Sequence, residues 1–344
     1  MNLADFDYGL PESAIAQAPA DERDGSRLLV IDRGARRLAD HRFADLPEFL
    51  RPGDCLVVND SRVIPARVLT RDGAGREVEL LFVEPSGVAG QWRALVRPGR
   101  RCRVGAQMSA GDGAARFRIV AVEPDGTRSV ERLYGSIGEA IERYGVPPLP
   151  PYIAHHAKPG SEDRERYQTV YARTPGSIAA PTAGLHFTTA LLDRLRARGI
   201  EVHALTMHVG PATFWPIKTG RVEDHVLPSE RMEISEPVAG AVNAARAEGR
   251  RVVAVGTTTT RALESAADEH GTVRATTARA DIFIVPGYRF RVVDALLTNF
   301  HLPRSSLLVL VSALAGRELI LDAYRHALAA GYRFYTYGDA TLIL

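Results

Sequence analysis

The chain has 344 residues, 45% of them hydrophobic and 24% charged, a composition that supports an ordinary globular core. Its length favours about two domains. The formal net charge of +2 excludes a global polycation, so any contact with nucleic acid has to come from local patches.

The basic residues are lopsided. Only Lys158 and Lys218 are lysine, and the rest of the 43 are arginine, planar bidentate donors suited to phosphates and base edges. A GC-rich genome gives the same bias. Two cysteines, Cys55 and Cys102, make neither a disulfide framework nor a metal cage. The opening MNLADFDYGLPE is acidic and lacks the basic-then-apolar order of a signal peptide. The longest apolar run, 307–316, is too short to span a bilayer. A soluble, cytoplasmic protein without membrane association is expected.

In chain order, strands are expected at 26–32 and 54–60, flanking a short helical piece at 45–50. From 62 to 133 the texture changes to short β-rich runs separated by DGAG, PSGVAG, RPGRR and GDG. Period-two alternation with glycine-rich turns predicts a small antiparallel sheet or barrel. A helix with a capping-box start follows at 136–144, where Glu139 lies three residues after Ser136 and Gly145 is the stop. The prolines of VPPLPPYI, 146–153, forbid helix and predict an extended connector.

Beyond that point the pattern is α/β. A helix opens at Thr188, and a strand is expected at 200–209. A helix at 236–248 has Pro237 in its first turn. A strand at 251–255, a helix at 258–270 and strands at 281–285 and 295–298 follow. Helices across 305–330 and a strand near Phe334 complete the chain. The reading is an α/β fold: a mixed, largely parallel sheet domain (1–61 and 151–344) with an inserted small antiparallel β-barrel domain (62–150).

The C-terminal half breaks pattern at its strand ends, where small residues expose polar groups. LTMHVGPATFWP ends a strand at His208. VGTTTTRALES ends one at Gly256, with four threonines and Arg261 entering a helix. LLTNFHLPRSS ends one at Asn299 and His301, before Arg304 and Ser305. FYTYGDATL places Tyr337 and Asp339 at a last turn. In open α/β sheets ligands bind outside the carboxyl ends of strands, where helix N-termini point free N–H groups outward. Four such edges suggest one composite pocket, although Thr257 and Ser305 also fit plain helix caps. No metal-ligand spacing, nucleophile elbow, dinucleotide fingerprint or P-loop occurs. Arg93, Arg97, Arg100, Arg101 and Arg103 fall on one expected hairpin, as a solvated face or a phosphate track.

The motifs AAPTAGLHFT, TMHVG, AVGTTTTRALESA, VVDALLTNFHLPRSSLLVLVSA and YRFYTYGDATLI are long and collinear. With DFDYGLPESAIAQ, DCLVVNDSRVIPAR and PLPPYI…RYQTVYA they resemble the S-adenosylmethionine:tRNA ribosyltransferase-isomerase family of queuosine biosynthesis, over almost the whole chain. The resemblance implies an α/β domain with an inserted β-barrel and no metal. It implies transfer of the ribosyl part of S-adenosylmethionine onto a 7-aminomethyl-7-deazaguanine at the tRNA wobble position, giving epoxyqueuosine, adenine and methionine. S-adenosylmethionine is then consumed as donor and no cofactor is needed. The partner is a tRNA anticodon stem-loop, and a monomer is expected.

That chemistry needs a general base for the proton beside the sulfonium, a donor for departing adenine, an aromatic for the turned-out base and arginines for phosphates. On the matched positions the catalytic candidates are His186, His208, His225, Glu264, His301 and Asp339. The substrate-binding candidates are Thr182, Gly184, Phe187, Phe214, Thr257, Arg261, Asn299, Arg304, Ser305 and Tyr337. Arg62, Arg67, Arg97, Arg100 and Arg101 are the RNA-binding candidates. Glu264 follows Arg261 by three and shares its helix face, as an internal ion pair or as catalytic machinery. His186 and His301 either fix turns or do chemistry. Pro228 stands where the family carries a second histidine, and Ala212 where it carries a second glycine. The alternative is therefore a catalytically impaired paralogue that binds the anticodon loop. A third reading is an unrelated small-molecule transferase.

Overall fold

The computed structural model describes residues 1–211 and 217–344. They divide into two compact units, one of Met1–Arg62, Gln168–Thr174 and Ala180–Leu344, the other of Val63–Tyr167 and Pro175–Ala179.

The first unit is built on a nine-stranded mixed sheet. Its order is Thr276–Ala280, Glu230–Ile234, Glu201–Met207, Cys55–Asn59, Val252–Val255, Ala295–Asn299, Ala340–Ile343, Arg27–Asp32 and Arg37–Arg42. Glu201–Met207, Cys55–Asn59, Val252–Val255 and Ala295–Asn299 run parallel to one another, as do Ala340–Ile343 and Arg27–Asp32. The remaining pairings are antiparallel. Apolar β-branched runs fold this way because both sheet faces are covered, and Cys55–Asn59, Val252–Val255 and Ala295–Asn299 are buried at every position.

Alternate residues of one strand serve opposite faces. Leu29, Ile31, Cys55 and Val57 join the core beneath helices Glu236–Ala247, Thr257–Ala266, Ser306–Ala315 and Arg317–Ala329. Leu28, Val30, Leu56 and Val58 join the core shared with helix Thr189–Ala197. Thr188 caps that last helix, its hydroxyl accepting from the Leu191 N–H at 3.0 Å.

Several expected elements differ. The strand expected at 281–285 lies at Thr276–Ala280, and Arg37–Arg42 is a strand the sequence did not announce. Both are outermost strands with half-exposed, polar sequences, so neither carries an apolar run. The helix expected to reach residue 270 stops at Ala266. The strand expected near Phe334 lies at Ala340–Ile343, because Tyr335 adopts φ +75° and breaks the extended chain.

The second unit is a closed antiparallel barrel of six strands: Arg67–Asp72, Glu77–Pro85, Gln91–Arg97, Arg128–Arg132, Ala115–Val122 and Gln107–Ala110, the last pairing back onto the first. Alternating residues, among them Val78, Leu80, Phe82, Phe117 and Ile119, fill its interior. Helix Ile137–Tyr144 carries both bonds of its capping box, Glu139 N–H to Ser136 Oγ at 3.2 Å and Ser136 N–H to Glu139 Oε2 at 3.0 Å. The unit runs past residue 150 because buried Arg67 donates to the carbonyls of Leu149, at 3.1 Å, and His156.

Candidate functional site

A pocket opens at the carboxyl ends of the parallel strands of the first unit. It is lined by residues 180–183, Val209, Gly256, Thr257, Thr258, Thr298, Asn299, His301, Leu307, Tyr335 and Thr336. Each strand end supplies a different tool. Val252–Val255 leads through Gly256, at φ +93°, into helix Thr257–Ala266, whose first N–H groups have no partner within the helix. Thr259 Oγ1 donates to the Val255 carbonyl at 2.7 Å and Thr260 Oγ1 to that of Gly256 at 3.2 Å. Thr258 Oγ1 is buried with no hydrogen-bond partner among the described residues.

Ala295–Asn299 ends on Asn299. Its Nδ2 donates to the Tyr335 carbonyl at 3.0 Å and lies 3.3 Å from His186 Nε2, while its Oδ1 is buried with no partner among the described residues. Since Nδ2 is a donor, His186 Nε2 must be the bare nitrogen. The ring proton then sits on Nδ1, 2.7 Å from Ser26 Oγ. The ring also stacks on Phe43, centroids 4.9 Å apart. Burial lowers the His186 pKa from 6.5 to about 4, against a smaller raising effect of the Asn299 bond, so the imidazole is neutral. Both its nitrogens are engaged, and it stands behind Asn299 rather than in the lining.

His301 does line the pocket. Its Nε2 is 3.2 Å from Thr298 Oγ1, its backbone N–H donates to Tyr324 Oη at 3.0 Å, and its carbonyl accepts from Tyr8 Oη. Burial pushes its pKa down to about 3. Gly184 lies within the turn 182–186, where a Cβ would fall 2.1 Å from Tyr171 Oη and 2.7 Å from Thr169 Cγ2. Only glycine allows the turn to pack there.

Of the sequence candidates, Thr182, Thr257, Asn299 and His301 are brought together in the lining. Others are already committed elsewhere. Glu264 does not pair with Arg261. It accepts from Tyr288 Oη at 2.9 Å and from the N–H groups of Arg291, Val292 and Val293 at 2.9 to 3.0 Å. Arg261 is buried, paired with Glu230, and donates to the Ile282 and Ala280 carbonyls. Asp339 accepts from the N–H groups of Arg27, at 2.9 Å, and Arg333, at 2.8 Å. Ser305 caps helix Ser306–Ala315, accepting from the Leu308 N–H at 3.2 Å.

Phe187 is wholly buried against Phe43 and Tyr171, so it offers no face to a base. Arg304 is exposed and paired with Asp7. His225 packs edge-on to Phe283 outside the lining, and burial lowers its pKa. His208 is half-buried and also outside it. Tyr337 is buried outside it, whereas the neighbouring Tyr335 and Thr336 are inside. Phe214, with Ala212, lies outside the described residues.

Among the arginines, Arg62, Arg97 and Arg100 are exposed. Arg101 is half-buried and donates to the Glu77 carbonyl at 3.0 Å. Arg67 is buried and spent on carbonyls, so it cannot reach a phosphate. Sequence reasoning missed Thr258, Tyr335 and Thr336. The run of four threonines and the FYTYG turn carried the signal, but not which member faces the pocket.

A mixed α/β sheet with a pocket at its strand ends, in a chain that also carries a closed β-barrel unit, defines an α/β protein with a strand-edge candidate site. A family model described as "Queuosine biosynthesis protein" matches residues 3–343. S-adenosylmethionine:tRNA ribosyltransferase-isomerases of Symbiobacterium thermophilum and Moorella thermoacetica are 51% and 52% identical, with all of this chain and all of each relative covered. The crystal structure of an S-adenosylmethionine tRNA ribosyltransferase from Thermotoga maritima is 34% identical with a TM-score of 0.56, covering 99% of this chain and 100% of that one. The chain belongs to the queuosine biosynthesis protein family. It is an enzyme, a transferase.

Proposed function

We propose that the protein moves the ribosyl part of S-adenosylmethionine onto a 7-aminomethyl-7-deazaguanine base at the wobble position of tRNA, leaving epoxyqueuosine in the tRNA and releasing adenine and methionine. The observation that carries this reading is the convergence of four family motifs on one pocket: residues 180–183, the threonine helix start, Asn299 with His301, and Tyr335 with Thr336. Full-length relatives at about half identity bear the name of that activity.

In this reading His301 is the general base. A proton on Nε2, shared with Thr298 Oγ1, leaves Nδ1 bare to accept the proton from the carbon beside the sulfonium. Burial keeps the His301 ring neutral and so able to accept a proton, while making it a weaker base than a free imidazole. His186 acts through Asn299 as a positioning residue. Tyr335, an aromatic among the described residues of the lining, takes the stacking role. Arg62, Arg97 and Arg100, being exposed, are the cations for anticodon-loop phosphates. The site lies in a cytoplasmic enzyme that meets tRNA there.

The test is to incubate the protein with S-adenosylmethionine and precursor-bearing tRNA, digest the tRNA and weigh its nucleosides. An epoxyqueuosine mass supports the reading. An unchanged precursor mass, with tRNA bound, supports the impaired paralogue instead.

A further inference from the structure

Two buried polar groups on the same pocket have no hydrogen-bond partner among the described residues. Thr258, 6% exposed, keeps its hydroxyl without a partner, although Thr259 and Thr260 beside it spend theirs on helix carbonyls. Asn299, 2% exposed, spends its Nδ2 and leaves Oδ1 open. A buried polar atom without a partner is costly, so each is expected to meet a ligand atom. Thr258 stands in the first turn of the ten-residue helix Thr257–Ala266, where free N–H groups and the helix dipole favour an anion. Among the described residues, no Asp, Glu, Lys or Arg lines the pocket. At this corner a carboxylate and an ammonium that enter together cancel each other's charge, so neither needs a charged protein partner.

We propose that this corner is an α-amino-acid subsite, in which Thr258 and the helix N-terminus hold a carboxylate and Asn299 Oδ1 accepts from an α-ammonium. The inference rests on the proposed function in one respect: the ligand is then the methionine end of S-adenosylmethionine. Adenine offers ring nitrogens and an amine but no negative charge for the helix terminus, so it belongs elsewhere in the pocket.

The experiment has a ligand arm and a variant arm. In the ligand arm, binding of L-methionine and L-methioninamide to the full-length protein is compared by NMR titration without tRNA. The amide lacks the carboxylate, and it should bind at least about tenfold more weakly. In the variant arm, Thr258→Val should raise the KM for S-adenosylmethionine about tenfold with kcat within about threefold, and Thr258→Ser should restore it. Failure of L-methionine to bind, equal binding of the two compounds, or an unchanged KM in Thr258→Val overturns the subsite. If the wild type releases no adenine, the proposed function fails, and the ligand arm still decides the subsite. If adenine is released and the methionine pair is indistinguishable, the function stands and the subsite falls.

Discussion

Asn299 Nδ2 lies 3.3 Å from His186 Nε2 across 113 residues of sequence, and the same amide donates to the Tyr335 carbonyl at 3.0 Å. One side chain thereby ties three of the pocket's walls: the end of a parallel strand, the turn 182–186 and the left-handed Tyr335. Replacing His186 with Phe keeps a ring against Phe43 but strips both hydrogen bonds. The variant should lose about 1–3 kcal/mol of stability and raise the KM for S-adenosylmethionine, as Asn299 loses its backing. Urea unfolding beside steady-state kinetics measures both. Wild-type kinetics in a folded His186→Phe would remove the positioning role.

The two buried histidines set a pH dependence. Their folded pKa values, about 4 for His186 and about 3 for His301, lie below the unfolded value of 6.5. The unfolded chain therefore binds these protons first as pH falls. Their contribution is complete above pH 6.5 and is lost on descending from 6.5 toward 4 and below. Between pH 7 and 4.5 the loss should be about 2–3 kcal/mol per histidine, in a window above most carboxylate titration. Urea midpoints at the two pH values test this, and His186→Phe should lose less stability on acidification than the wild type. Equal losses would refute the assignment.

Glu264 separates structural from catalytic carboxylates. It accepts three backbone N–H groups and a tyrosine hydroxyl, so Glu264→Gln replaces one acceptor oxygen with a donor facing donors. The expected outcome is about 1–3 kcal/mol of destabilisation with kcat per folded molecule nearly unchanged. Denaturant titration with active-site-normalised rates checks it. A loss of rate of a hundredfold or more in folded protein would return Glu264 to the chemistry.

Arg261 and Glu230 form a buried pair, so removing one partner strands the other. Arg261→Met should cost about 3–5 kcal/mol, and the double change Arg261→Met with Glu230→Leu considerably less. The salt dependence of tRNA binding should not change in the double variant, since Arg261 reaches no phosphate. A shallower salt slope would contradict this.

Gly184 is required by space. A Cβ would meet Tyr171 Oη at 2.1 Å, so Gly184→Ala should unfold at markedly lower denaturant, and Tyr171→Phe should recover part of the loss. Full stability of Gly184→Ala would contradict the packing described.

The strand-edge pocket was legible because small residues and polar side chains interrupt apolar β-branched runs at 256 and 299, the ends of parallel strands, and at 335–339, the turn that leads into Ala340–Ile343, which runs antiparallel to Ala295–Asn299. The barrel was legible from period-two alternation between glycine turns. What sequence could not show is whether a polar side chain is already spent. Arg261, Glu264 and Asp339 sit in motifs as conspicuous as that of Asn299, yet their partners come from 280–282, 288–293, and Arg27 with Arg333. Facing within a turn was equally hidden. The positive φ of Tyr335 puts it and Thr336 into the lining and leaves Tyr337 outside, although all three belong to one short motif. Edge strands with polar sequences, such as Thr276–Ala280, left no periodic signal.

The most direct measurement is adenine released from S-adenosylmethionine, with and without tRNA carrying the 7-aminomethyl-7-deazaguanine precursor. Ribosyl transfer at the pocket predicts one adenine and one methionine for each precursor consumed, and none without the tRNA. Tight tRNA binding with no adenine released, or adenine released equally without RNA, would contradict it.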